Sequence, residues 1–253
     1  MAPKGFIIHR GLSPETGDPI VGILTLSSGN RKTGNMCQVW ILNENINPVA
    51  AVTTGDDEAI CGQCPHRKQS DGSRSCYVNV GQAPLSVWRA FKADKYKLLW
   101  TNEELEQAVS GRKIRWGAYG DPAMLPVKLV NWLNSCADGW TGYTHQWLKD
   151  YAQGFKRTFM ASVDDSFEDA QASYHGWSRF FVIPKDAKLS DIYSFSGSIQ
   201  SPKPKACSNA INSEISCLNC SLCDGNHGSI YINAHGPGAK HVSLNITSPL
   251  SKN

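Results

Sequence analysis

The sequence predicts an α/β fold: a parallel sheet curled into a partial (β/α) barrel, followed by a cysteine-rich, metal-binding C-terminal segment. Three observations predict it. Between residues 97 and 184, short apolar runs of strand length alternate with helical ones, and alternation of this kind implies a parallel sheet with helices against it. Lys113 to Trp147 is the clearest such unit, a strand–helix–strand with a Gly-x-x-Gly-Asp-Pro turn closing its first strand. Seven of the nine cysteines fall into two clusters that flank this unit.

In order, residues 1–36 read as a strand or hairpin extension. It contains the apolar run IVGILTL and a loop, SSGNRKTGN, whose Arg31 and Lys32 are a solvated turn or a phosphate contact. Residues 37–184 are the barrel. CQVWIL and PVAAV read as its first strands, and a long polar loop with Cys61, Cys64 and Cys76 follows. A loop of that length inside a compact domain is usually functional or metal-bound. PLSVWRAFKADKY is a helix and KLLW a strand. TNEELEQAVSG is a helix that Thr101 opens and Glu104 completes as a capping box, with Gly111 at its end. In the central unit, Leu125, Leu129, Val130 and Leu133 share one helical face, with Pro126 in the first turn. RTFMASV, SFEDAQASYHG and WSRFFVIP repeat the strand–helix–strand design, with Ser166 opening the helix. Residues 185–253 form the cysteine-rich segment, with a linker at SPKPK, a strand at SIYINA and a fraying end. Parallel strands put their C-terminal ends on one side, where α/β folds bind ligands, so Gly120, Asp121 and His145 face one site.

Composition narrows the class. No apolar run approaches the roughly 18 residues that span a bilayer, and MAPKGFIIHRGLSPETG lacks the apolar core of a secretion signal. A cytoplasmic protein with no membrane partner is expected. Its net charge of +3 permits nucleic-acid contact without arguing for it. In a reducing compartment, clustered cysteines bind metal rather than form disulfides. Cys217, Cys220 and Cys223 form C-x2-C-x2-C with Cys207 upstream, a set that suits a four-iron cluster or a tetrahedral zinc site. Zinc would have His227, His235 and His241 at hand as alternative ligands. Cys61, Cys64 and Cys76 form C-x2-C-x11-C. Either His66 completes a zinc site there, or three thiolates leave one iron of a cluster open for chemistry. Cys37 and Cys136 stand alone and read as small buried apolar residues.

The order of these motifs resembles radical S-adenosylmethionine (SAM) enzymes: a three-cysteine loop, a Gly-Asp-Pro turn at GAYGDP, a polar strand end at YTHQ, and a strand ending in Ser162-Val163-Asp164. It is more similar still to small phage proteins with a Cys…Cys-Tyr loop and a Gly-Asp turn, which would place the protein in a host cytoplasm. The resemblance spans residues 37 to 223. It implies a partial barrel in which Cys61, Cys64 and Cys76 hold a 4Fe-4S cluster and the tail cysteines hold an auxiliary one. It also implies that Gly117, Gly120, Asp121 and Ser162 contact SAM. The family spacing is C-x3-C-x2-C, and its turn carries Glu where this chain has Asp121.

Three functions follow. The first is an iron–sulfur enzyme modifying a small molecule, a nucleotide or a nucleic-acid base, with Asp121, His145 and Asp164 at the strand ends as catalytic candidates. The second is a zinc-containing barrel that exchanges nucleobases, similar to the base transglycosylases, with Asp121 and Asp164 as its carboxylate pair. The third is a non-enzymatic, metal-stapled protein that binds nucleic acid or a partner. Of eight tryptophans, Trp147 and Trp177 are the two read as free to stack on bases.

Overall fold

The computed structural model describes residues 4–188, 190, 204–236 and 238–242. The chain is a mixed α/β structure with two five-stranded sheets. The first has the order β1 (Gly5–Leu12), β2 (Pro19–Thr25), β3 (Cys37–Asn43), β4 (Ile114–Tyr119), β5 (Trp140–Thr141). The β1–β2–β3 pairings are antiparallel, and from β3 onward they are parallel. The second sheet is parallel throughout, in the order β6 (Tyr143–Thr144), β7 (Met160–Val163), β8 (Arg179–Ile183), β10 (Ile230–Asn233), β9 (Lys205–Ala206). Gly142 alone separates β5 from β6, so one extended segment belongs to both sheets. A Cβ there would lie 2.6 Å from the Phe159 ring, so only glycine lets this segment pass.

The helices follow from local chemistry. Asn47 accepts from the backbone N–H groups of Val49 and Ala50, and with Pro48 in the first turn it starts α1 (Pro48–Thr54). The strand expected at PVAAV is therefore this helix: a cap and an N-terminal proline outweigh two valines. A short turn, α2 (Glu58–Cys61), delivers Cys61, and α3 (Ala83–Lys92) follows the cysteine loop. The capping box of Thr101 and Glu104 opens α4 (Asn102–Val109) as expected. The strand expected at KLLW reduces to one bridge, Phe6 to Lys97, because Leu98 and Leu99 point outward. α5 (Val127–Cys136) packs Val130 and Leu133 inward, and its Asn134 accepts from the Trp116 indole at 2.8 Å, tying it to β4. α6 (Ser166–Tyr174) is capped by Asp165, one residue before the expected Ser166.

The start of β1 and most of β2 lie deep in the core, with Ile20, Val21, Ile23 and Leu24 at 0% exposure. Trp147 and Trp177 are each only 3% exposed, so neither is available to stack on a base. Both follow polar strand or helix ends, which hides their burial from a reading by periodicity. Cys37 is fully buried, as expected, whereas Cys136, expected buried, is only half-buried and packs against the core. No helix among the described residues is long and apolar enough to cross a membrane. Residues 201–203 of the SPKPK linker and all but the first of the C-terminal dozen lie outside the described residues, and the linker's last residue, Lys205, begins β9.

Candidate functional site

Side chains alternate across a strand. One parity of several parallel strands faces a common cavity of about 410 Å³: Arg115, Gly117 and Tyr119 from β4, Thr141, Tyr143 and His145 from the 140–145 segment, and Ser162 from β7. Phe180 and Val182 of β8, then Ile232 and Ala234 just beyond, complete that wall. All seven expected metal cysteines open on the same cavity, Cys61, Cys64 and Cys76 from the loop and Cys207, Cys217, Cys220 and Cys223 from the tail. Gly120 and Asp121 line it as well. The flanking of the central unit by two clusters in sequence is thus a flanking in space.

Several contacts hold the loop in place. Arg67 gives its Nε to Asp57 Oδ1 at 2.9 Å and its terminal nitrogens to Glu58 and to the carbonyls of Gly55 and Gly62. Asp57 is buried at 4% side-chain exposure. Arg67→Ala strips that carboxylate of its guanidinium and is expected to destabilise the fold by about 3–5 kcal/mol in a urea melt. Arg67→Lys recovers little, because an ammonium cannot fork across four acceptors. Further along the loop, Tyr77 accepts from Arg115 and bonds the Tyr143 hydroxyl, each at 2.8 Å. Tyr77 also stacks on His235 of the tail, with centroids 5.6 Å apart.

The thiols are free and half-buried. Burial pushes Cys61 and Cys64 far up, with Asp57 and Cys61, respectively, adding to it. Burial also raises Cys217, against the pull of Arg115 and Lys32. A metal taken up at either set would have to displace thiol protons, so its affinity would rise with pH. Lys32 stands beside the tail cysteines with its Nζ 3.0 Å from His235 Nε2, and burial lowers its pKa. The phosphate-contact reading of the 27–35 loop thus has a lysine in the cavity wall. Arg115 went unnoticed in sequence, although a charged residue two positions before Gly117 in an apolar strand shares its parity and was the available signal.

A tetrahedral zinc ion holds its thiolates about 3.8 Å apart. Among the described residues, no three cysteines bring their sulfurs within 4.8 Å of one another, nor does any trio of cysteine and histidine. His66 does not complete a cysteine site: its Nδ1 meets Ser75 Oγ at 2.7 Å and its Nε2 faces Asp164. His227 pairs with Asp224 and is largely exposed.

Asp121 spends both carboxylate oxygens on backbone N–H groups, Oδ1 on Ala123 and Oδ2 on His145, each at 2.9 Å. Its own N–H reaches the Ile60 carbonyl, so it knots the strand end to the cysteine loop. Burial lifts its pKa to about 6 despite these bonds. Burial lowers His145 to about 4, against the pull of Asp164. Asp164 is raised by burial, but His145 and His66 outweigh this and hold it below its usual range. The glycines of the turn answer local needs: Gly117 at φ +68° packs under Pro122, and Gly120 at φ +81° lies against Ile41. The chain matches no protein-family model, no curated protein and no solved structure.

Proposed function

We propose that the chain is an iron–sulfur enzyme resembling the radical SAM group, acting on a small molecule or on a nucleotide, free or within a nucleic acid. The observation that carries this reading is the convergence of both cysteine sets and the Gly117–Asp121 turn on one cavity. Its volume suits a bound small molecule. The strand order supports a partial barrel, since β3, β4, the 140–144 segment, β7 and β8 are parallel lateral neighbours in chain order.

Cys61, Cys64 and Cys76 would hold a cluster with one iron left open, and Cys207, Cys217, Cys220 and Cys223 would hold a second. Such a cluster supplies single electrons to SAM when both are bound. The chain's own residues bind and orient. Lys32 and Arg115 offset thiolate charge from the cavity wall. Asp121 fixes the turn, and Ser162 presents a strand-end hydroxyl. The zinc base-exchange reading needs Asp121 as a free carboxylate, and both its oxygens are engaged.

Iron and acid-labile sulfide content of anaerobically purified protein tests the reading. About eight of each per chain are expected, falling to about four in Cys61→Ala and in Cys217→Ala. Zinc without sulfide, even after anaerobic reconstitution, overturns it.

A further inference from the structure

Three side chains beside the cysteine loop form a group to which the iron–sulfur reading assigns no metal, although two of them, His145 and Asp164, are among its catalytic candidates. His66 comes from the loop, His145 from the strand end after β6, and Asp164 from the residue after β7. The parity that points Tyr143 into the cavity also points His145 there, and Asp164 stands two residues beyond Ser162. One ligand atom from each of the three lies within 4.8 Å of the other two, the only such group among the described residues. The two rings meet edge to face with centroids 5.2 Å apart.

His66 Nε2, His145 Nε2 and Asp164 Oδ2 are all buried, and none has a hydrogen-bond partner. His66 Nε2 comes within 2.9 Å of Asp164 Oδ1 and His145 Nε2 within 3.5 Å of Oδ2, but neither contact is aligned as a hydrogen bond. Buried polar atoms are paired in the great majority of cases, so three orphans aimed at one point call for a common partner. A plain His–Asp–His hydrogen-bonded chain would have satisfied them.

The surroundings fit a metal's outer shell. Ser75 Oγ engages His66 Nδ1 and so holds Nε2 toward Asp164; with Nδ1 donating to the serine oxygen, Nε2 has its lone pair free for a metal. Asp121 Oδ2 takes the His145 backbone N–H, and Glu168 Oε2 takes that of Asp164 at 2.8 Å, fixing both strand ends. We infer that His66, His145 and Asp164 bind one divalent first-row transition ion, separate from any metal on the cysteines. Two imidazoles and one carboxylate suit zinc, manganese or iron(II). Three protein donors leave positions open. His66 and His145 both line the cavity, so those positions face it and take water or an anionic oxygen of a substrate. The inference uses no cysteine and stands whether or not the thiols carry iron.

Manganese is the probe, because thiolate sets favour softer ions. Anaerobically purified full-length protein is titrated with Mn²⁺ while the electron paramagnetic resonance signal of the free aquated ion is followed. About one equivalent is expected to bind and to be displaced by Zn²⁺. Asp164→Asn and His145→Gln, each checked for an intact fold by circular dichroism, are expected to weaken binding at least about tenfold, and Cys217→Ala is expected to retain it. Pulsed spectra of the Mn²⁺-bound wild type are expected to carry nitrogen couplings from two imidazoles, a readout that needs no variant. Absence of binding by wild type, equal binding by Asp164→Asn and His145→Gln, or bound Mn²⁺ without nitrogen coupling overturns the inference.

Discussion

If the tail thiols carry the metal proposed for them, stripping it, by a chelator or by Cys220→Ala, is expected to open residues 204–222 to protease and to lower the Tm by about 10–20 °C. The reason is that, although β10 is itself paired with β8 over four residues, little else holds the segment ahead of it, residues 204–222. Its two helices, Ser208–Ile211 and Cys217–Cys220, are single turns with no buried residue. Its apolar anchor is a satellite cluster in which Ile230 and Ile232 meet Met160 and Phe180, and β9 contributes two residues of pairing. Backbone bonds add a little: Cys217 and Leu218 donate to the Lys32 and Thr33 carbonyls, and Gly142 donates to that of Cys223. When a site forms only in the folded chain, metal binding is folding free energy, about 10–16 kcal/mol for structural zinc at neutral pH. Losing even half of that accounts for the Tm shift, at about 2–4 °C per kcal/mol for a chain of this size. Scanning calorimetry with and without chelator, together with limited proteolysis, checks the prediction. Cys136→Ala, at the half-buried end of α5, is the control and should leave both readouts nearly unchanged. An unmoved Tm after chelation would mean that the tail thiols hold no metal.

The parts of the architecture legible in the sequence are those with local causes. The Thr101–Glu104 capping box, the 3.6-residue face of Val130 and Leu133, and the apolar runs of β4, β7 and β8 each carry their own signal, and each falls where expected. Parallel pairing then puts Gly120, Asp121 and His145 at one cavity, because strand ends in a parallel sheet must coincide. Where two local signals compete, the weaker misleads. The valines of PVAAV suggest a strand, but Asn47 and Pro48 decide for a helix. Partnerships between distant segments carry no local signal at all. Nothing near His66 foretells that its ring meets Asp164, 98 positions on, and nothing near Arg115 foretells Tyr77. The role of Asp121 shifts for the same reason: a carboxylate at a strand end reads as catalytic until its two backbone partners are seen.

Gly120→Ala is expected to destabilise the fold by about 2–5 kcal/mol, summed from two penalties that a matched variant separates. The first is conformational. Gly120 sits at φ +81°, where an L-residue costs about 1–2 kcal/mol. The second is steric. A Cβ at this position would lie 2.7 Å from both the Cβ and the carbonyl oxygen of Ile41, a residue at 0% exposure in the middle of β3. Backbone in a central strand cannot swing aside as a side-chain tip can, and overpacking of this kind costs about 1–3 kcal/mol more. Gly111 supplies the comparison. It has φ +66° and nothing within 4 Å of its would-be Cβ, so Gly111→Ala should incur only the first penalty. Urea melts of the two variants against wild type give the difference directly. The damage at Gly120 should also reach the cavity. Relief of the clash must part β4 from β3, and the neighbouring Asp121 N–H holds the Ile60 carbonyl one residue before Cys61. If both sets carry the clusters proposed for them, Gly120→Ala is therefore expected to lose metal from the Cys61 set while the tail set keeps its own, and Gly111→Ala is expected to lose none. Equal destabilisation by the two alanines would place the whole effect in the backbone conformation and remove the steric argument for glycine at this turn.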